Sequence, residues 1–177
     1  MSLLETIRIM RDESKFQSER GITYSPHLFL CGAINPIAAP YDFRPIRRAK
    51  KIEAGAQFVQ SQHCFDTPLL EDYIKRATDM GLHEKCFILV GVGPLASARA
   101  ARWIHKKIRG IHIPDAAIER LESADDMRQE GKRICIENML QIKYMGGISG
   151  VNVMTFRQEE LVSQVIHESG ILKGRKP

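Results

Sequence analysis

The chain has 177 residues, of which 44% are hydrophobic and 27% are charged, and its formal net charge is +5. This composition is typical of one globular domain in water, and no apolar run approaches the ~20 residues that cross a membrane. Apolar residues interrupt the basic runs at 44–51 and 99–109, as on a solvated helix face. We therefore expect a mildly basic pocket for an anionic ligand, and neither nucleic-acid binding nor membrane insertion.

The four cysteines are scattered, with no CxxC pair and no short metal-ligand spacing. This spacing predicts reduced thiols in a cytoplasmic protein, without a metal site. The first eight residues mix both charges at helical spacing, which is not the pattern of a signal peptide.

A helix is predicted over 3–12, followed by a polar loop over 13–25. The apolar run between Pro26 and Pro36 predicts a strand that is buried on both faces. The same reasoning predicts strands over 57–62, 86–92 and 151–155, and helices over 47–55, 69–81, 96–107, 116–121, 125–144 and 161–170. A single domain is expected over 1–177, with residues 171–177 as a loose basic tail.

The predicted order is one helix and then four strand–helix units, with one enlarged connection before the last strand. Helical connections of this length force parallel pairing and right-handed crossovers. A closed barrel of eight such units takes ~250 residues, so the pattern predicts an α/β fold of the TIM-barrel type with about half of the barrel. An open three-layer sheet is the alternative, but neither GxGxxG nor GxxxxGK[ST] is present to support nucleotide binding.

The stretch at 55–66, with the sequence GAQFVQSQHCFD, combines a helix end, a short strand and the start of another helix. Gln62 and His63 lie where this strand ends. In a barrel of alternating strands and helices, that end carries the active site. The neighbouring His63 and Cys64 are not expected to converge as a nucleophile or ligand pair, because successive strand residues point to opposite faces.

From about Leu28 onward, the chain resembles the C-terminal half of methylenetetrahydrofolate reductase, a flavin-dependent (βα)8 barrel. The family run Gly-Ala-(Asp/Asn)-x-x-x-(Thr/Ser)-Gln-x-x-Phe-Asp is matched by Gly55, Ala56, Gln57, Ser61, Gln62, Phe65 and Asp66. Weaker matches follow in the family's order, at 91–94, 113–114 and 150–155. The four predicted strands would then correspond to strands 5–8 of the barrel.

The resemblance implies reduction of 5,10-methylenetetrahydrofolate to 5-methyltetrahydrofolate through FAD, in the one-carbon metabolism that serves methionine biosynthesis. NAD(P)H or a partner reductase would supply the electrons. Gln62 would bind the folate pterin, since an amide offers both a donor and an acceptor. The flavin phosphates and ribityl chain would lie near Asn35, Arg47, Lys50 and Lys51, where cations suit a pyrophosphate. A solvated helix face is the alternative for one or two of the basic residues at 47–51.

The chain departs from the family pattern at several site positions. Asn35 stands where many members have a histidine before the proline, and Ala100 stands where a glutamine touches folate. Gln158 stands where the family has a folate-binding arginine, and Arg157, one residue earlier, is the candidate replacement or a surface charge.

The family's catalytic glutamate lies near the end of the first barrel strand, outside the matched region, so no catalytic residue is assigned. We expect function to need the N-terminal half-barrel, either as a separate chain or replaced by self-association. The alternatives are a non-catalytic folate-binding or assembly subunit of a one-carbon enzyme complex, and an unrelated α/β protein that binds a phosphorylated ligand through the face at 44–51.

Overall fold

A computed structural model describes residues 2–155 and 159–172. Strands and helices alternate along these residues, and three helices separate the last two strands. The elements are α1 (Ser2–Asp12), β1 (Cys31–Ile34), α2 (Phe43–Glu53), β2 (Phe58–His63), α3 (Thr67–Asp79), α4 (Leu82–Lys85), β3 (Phe87–Val92), α5 (Ala98–Lys107), α6 (Asp115–Glu122), α7 (Met127–Lys143), β4 (Gly150–Val153) and α8 (Glu159–Ser169).

The four strands form one parallel sheet in the order β1-β2-β3-β4. Each strand therefore pairs with its neighbour in sequence, as in a (βα) barrel, and the sheet does not close among the described residues. This arrangement confirms the predicted partial barrel. None of the helices in the described part of the chain combines the length and the apolarity that a bilayer crossing demands.

One face of the sheet is covered by helices and forms the main core. Val59, Ile88 and Val90 are fully buried there against side chains of α2, α3 and α7. The enlarged connection from β3 to β4 builds a second core around Leu95 and Leu121, from the loop after β3 and from α5 and α6. The connection thus packs as a unit beside the sheet.

The other face of the sheet is open, which corrects the prediction of strands buried on both faces. Cys31 and Ala33 of β1 are exposed on it. Phe87 of β3 is 59% exposed, and Phe58 stacks on Phe29 with ring centroids 5.2 Å apart. In a closed (βα) barrel, the face away from the helices is the interior, where apolar side chains of the strands pack against one another.

Element bounds differ most from the prediction at β1, which occupies only Cys31–Ile34 of the predicted apolar run, and at α2, which begins at Phe43. Pro45 falls in its first turn, where a missing N–H has no helical partner to lose, so the proline does not delay the helix. The short helix α4 was not predicted. Within the predicted tail, Ile171 packs against the main core, and residues 173–177 lie outside the described residues.

Helix α1 lies at the amino ends of β1 and β2. Arg11 donates to the carbonyl of Leu28 at 3.3 Å and to Gln57 Oε1, which also accepts from Leu30 N at 3.1 Å. Gly55 has a φ of +104°, and a Cβ there would lie 2.9 Å from Arg8 Cβ. The glycine of the family run is therefore required by backbone conformation and by this close contact.

Candidate functional site at the carboxyl end of the sheet

The end of β2 carries a β-bulge. The register with β3 shifts between Gln60 and His63, and Ser61 Oγ accepts a hydrogen bond from Gly91 N at 2.8 Å. Bulges beside active sites redirect side chains. Here Gln62 lines a pocket on the β1 side of the strand end, and the next residue, His63, lines a groove on the β4 side.

The pocket on the β1 side, here called the cationic pocket, has a volume of about 360 Å³. It lies between the end of β1 and α2, which contributes Arg44 and Arg47 from its first turns and Lys51 from its last turn. Three of its lining residues are basic and two carry side-chain amides. The lining consists of Ala33, Ile34, Asn35, Arg44, Arg47, Lys51, Gln62 and Tyr73.

A strand carbonyl, a loop carbonyl and an aromatic ring each contact one of the three cations. Lys51 Nζ donates to the carbonyl of Ala33 at 2.6 Å. Arg44 Nε donates to the carbonyl of Ala38 at 2.6 Å, and the guanidinium carbon of Arg47 lies 6.0 Å from the centre of the Phe43 ring. Lysine has three donors and arginine five, so each side chain retains N–H groups for an anion.

A fourth basic residue, Arg48, is fully buried beneath the pocket. Its Nη2 donates to the carbonyls of Leu82 at 3.2 Å and Cys86 at 2.7 Å, which ties α2 to the end of α4. Burial raises the pKa of the neighbouring Tyr73 to about 12, while Arg48 partly opposes this shift. Arg48 therefore has a structural role, and it does not lie on the solvated face that the sequence suggested.

The groove on the β4 side, here called the apolar groove, has a volume of about 800 Å³. Trp103 of α5 lies along it and is 59% exposed. Few of the residues that line the groove are polar. The lining consists of His63, Phe65, Pro94, Leu95, Ala96, Ser97, Arg99, Ala100, Trp103, Ile104, Ile108, Ile111, Met154 and Thr155.

His63 and Cys64 do not form a reactive pair. The His63 ring stacks on Phe65, with centroids 5.6 Å apart and planes within 6°. Burial lowers the pKa of His63, and the carbonyl of Met154 partly opposes that shift. Burial raises the pKa of Cys64 to about 12, so this thiol stays protonated and unreactive at neutral pH.

Asp66, the last residue of the family run, has a structural role. Its Oδ1 accepts from Leu69 N at 2.9 Å and caps α3, and its Oδ2 lies 2.8 Å from His112 Nδ1. This pair joins the start of α3 to the connector that supplies Ile111 to the apolar groove. No cluster of three or more metal-ligating side chains occurs within residues 2–155 and 159–172.

The structure brings most of the predicted site residues together. Asn35, Arg47, Lys51 and Gln62 share the cationic pocket. Lys50 is exposed on α2 and does not line it. Arg157 lies outside the described residues, as does Gln158.

Sequence reasoning missed three residues of the two compartments. Arg44 and Tyr73 line the cationic pocket, and Trp103 lines the apolar groove. Arg44 begins the basic run that the sequence singled out. Tyr73 is part of an apolar helix stripe and gives no separate signal for a pocket. A tryptophan within the basic run at 99–109 was the available signal for the groove.

Comparison with known proteins now identifies the family. A family model described as methylenetetrahydrofolate reductase matches residues 33–170. The chain belongs to the methylenetetrahydrofolate reductase family. A Caenorhabditis elegans protein described as a probable methylenetetrahydrofolate reductase (NADPH) is 22% identical over 143 residues, which cover 78% of this chain and 21% of that protein.

A solved structure has a similar fold. An uncharacterized protein from Clostridium thermocellum, described as binding two copies of 5-methyl-5,6,7,8-tetrahydrofolic acid, matches with a TM-score of 0.60 and 16% identity. The match covers 85% of this chain and 55% of that chain. The chain therefore spans about half of this relative and about a fifth of the C. elegans protein.

Proposed function

We propose that this chain supplies the folate site and the flavin-phosphate side of a methylenetetrahydrofolate reductase-type oxidoreductase, which needs an N-terminal half-barrel to be complete. The observation that carries the proposal is the position of Gln62. It lies at the carboxyl end of β2, in one pocket with Asn35, Arg47 and Lys51. A pterin-reading amide and cations for phosphate thus meet at the edge where such barrels bind ligands.

The folate ligand is proposed to lie over the end of β2. Gln62 is an exposed amide there and can both donate to and accept from one edge of a pterin. The adjoining apolar groove suits the aromatic part of a folate, because aromatic and aliphatic side chains dominate its walls. Ala100, at the family's glutamine position, lines this groove and offers no amide for the ligand.

The residues of the cationic pocket fit the phosphate-bearing part of FAD. Arg44, Arg47 and Lys51 retain N–H donors there, and Asn35 Oδ1 is buried without a hydrogen-bond partner among the described residues. A volume of about 360 Å³ suits a pyrophosphate and ribityl segment, and the flavin ring needs surroundings from the remaining strands.

The chemistry that FAD supplies when bound is hydride transfer to the folate methylene group, with NAD(P)H or a partner reductase as the electron source. This chain would orient the two molecules: Gln62 would fix the pterin, and the cations would hold the phosphates. The open sheet face would be covered by a separate N-terminal half-barrel or by self-association.

The test is calorimetric titration of the purified chain with 5-methyltetrahydrofolate. Gln62→Ala is expected to weaken binding about tenfold, because a paired donor and acceptor are lost. Gln164→Ala, an exposed glutamine on α8, is the matched control and should bind like the wild type. Equal affinity of the Gln62→Ala variant and the wild type would overturn the assignment of the folate site.

A second candidate function is a non-catalytic folate-binding or assembly subunit of a one-carbon enzyme complex. Asn35 favours it, since the family's histidine is replaced on the flavin side of the site while Gln62 is kept on the folate side. Under this alternative, the chain binds folate but does not retain FAD even when co-expressed with an N-terminal half-barrel.

A further inference from the structure

His63 is a half-buried polar side chain in the wall of the apolar groove, directly after Gln62. The other polar side chains along the groove are either used in a helix cap or exposed to solvent. Ser97 Oγ accepts from Ala100 N at 3.2 Å and caps α5, and Arg99 and Thr155 are exposed or partly exposed. His63 is therefore the polar group best placed to meet a ligand deep in the groove.

The geometry around His63 distinguishes its two ring nitrogens. A Cβ on Gly93 would lie 3.0 Å from His63 Nε2 and 2.3 Å from the carbonyl oxygen of Met154, so the Nε2 edge faces the end of β4. Phe65 covers one ring face by stacking. We assign the proton of the neutral imidazole to Nε2, the ring nitrogen on the side of the Met154 carbonyl, which leaves Nδ1 as the hydrogen-bond acceptor.

We infer that His63 is a specificity residue of the groove, whose Nδ1 accepts a hydrogen bond from a ring N–H of a reduced pterin held by Gln62. The inference rests on the proposed folate site. Reduced pterins carry several N–H donors along one edge. The divergence of Gln62 and His63 at the bulge lets one ligand across the strand end contact both side chains.

This role predicts that ligand binding is linked to proton release. Burial already lowers the pKa of His63, and a ligand that covers the groove and donates to Nδ1 lowers it further. Affinity should therefore fall as the pH decreases through the pKa of the free protein. Other charged or titratable groups near the groove are Arg99 on its wall and Asp66 and His112, which bind each other.

The experiment is calorimetric titration with 5-methyltetrahydrofolate at about pH 6, in two buffers that differ in ionisation enthalpy. Wild type should release protons on binding, and His63→Gln should abolish the part of the release that belongs to His63. His63→Phe should weaken binding about three- to tenfold at neutral pH, and His63→Gln should recover part of that loss. His167→Gln, an exposed histidine on α8, is the matched control and should behave like the wild type.

Thermal unfolding of each variant separates a binding loss from a folding loss. If both His63 variants bind 5-methyltetrahydrofolate with the affinity and the proton release of the wild type, the inference is overturned, but the proposed folate site is not. Failure of the wild type to bind 5-methyltetrahydrofolate would instead overturn the proposed function, and this inference with it.

Discussion

The cationic pocket and the apolar groove lie on the two sides of one strand end, yet they differ in chemistry. The pocket has three cations and two amides in about 360 Å³, whereas the groove has mostly apolar walls in about 800 Å³. Adjacent residues, Gln62 and His63, line the two compartments. The bulge therefore directs two adjacent side chains of one strand end to different compartments, one that suits a charged part of a ligand and one that suits an aromatic part.

The two compartments also depend on different parts of the fold. The pocket is built by β1 and α2 and is supported from below by buried Arg48. The groove is built by the loop after β3 and by α5, which pack on the second core. Substitutions can therefore damage one compartment and spare the other.

The largest effect is expected from Arg48→Met. The carbonyls of Leu82 and Cys86 would lose their donor inside the protein, and removal of Arg48 Nε and Nη1, which have no partner among the described residues, would offset part of this cost. We expect a net loss of about 3 kcal/mol in the free energy of unfolding. Urea unfolding measures the change. The neighbouring variant Arg47→Met should change stability by less than about 0.5 kcal/mol but weaken FAD binding by the chain complemented with an N-terminal half-barrel. Equal stability of the two variants would contradict the assigned roles.

Gly131→Ala should damage the groove and spare the pocket. A Cβ at this position in α7 would lie 1.8 Å from the carbonyl oxygen of Leu95, which lines the groove. We expect a loss of about 1–3 kcal/mol in unfolding free energy and weaker folate binding, since backbone must move. Gly146→Ala, which has open space around it, is the control for an added methyl group. A folded Gly131→Ala variant with normal folate affinity would show that the packing of α7 against Leu95 does not affect folate binding.

The salt dependence of ligand binding, measured for the wild type and for Lys51→Met, should distinguish the two compartments. In the chain complemented with an N-terminal half-barrel, loss of this ammonium is expected to weaken FAD binding about tenfold at low salt, because charge-assisted hydrogen bonds to phosphate are removed. The difference from wild type should shrink at higher salt, because salt screens the attraction between Lys51 and the phosphates in the wild-type protein. Titrations followed by flavin absorbance, with 5-methyltetrahydrofolate as the less salt-sensitive comparison, provide the measurement. Identical salt dependence for both ligands would count against a separate cationic pocket.

The smallest expected effect is a difference in alkylation rate between the buried thiols of the core and the exposed thiol on the open face of the sheet. Burial raises the pKa values of Cys64 and Cys135 to about 12, so both should stay protonated and unmodified by iodoacetamide until the protein unfolds. Exposed Cys31 on the open face should react first, faster as the pH rises toward its raised pKa. Mass spectrometry over time gives the order. Protection of Cys31 by an added N-terminal half-barrel would show that the open face is covered.

The order of elements and the place of the site could be predicted from sequence because both follow from local patterns. Hydrophobic periodicity gave the alternation of strands and helices, and parallel pairing brought Asn35 and Gln62 to one edge. The motif at 55–66 then pointed to the family. These features depend on residues close together in the chain.

Other features depend on contacts that no local pattern specifies. Arg48 looks like Arg47 and Lys50 in sequence, but the turn of α2 directs it under α4, where two carbonyls accept its hydrogen bonds. The composition of β1 alone could not show its open face, since an apolar strand has the same composition whether or not its partner strands are present. The open interior could be expected only from the half-barrel pattern of the whole chain. The division between Gln62 and His63 arises from a bulge that is set by pairing with β3.

The most direct test of the account is the visible absorption spectrum of the purified chain across its size-exclusion peak, alone and co-expressed with an N-terminal half-barrel. In the proposed function, the described residues supply only the phosphate side of a flavin site, so we predict little or no flavin with the chain alone and near-stoichiometric flavin with the complemented chain. Near-stoichiometric flavin on the chain alone, or none after complementation, would contradict it.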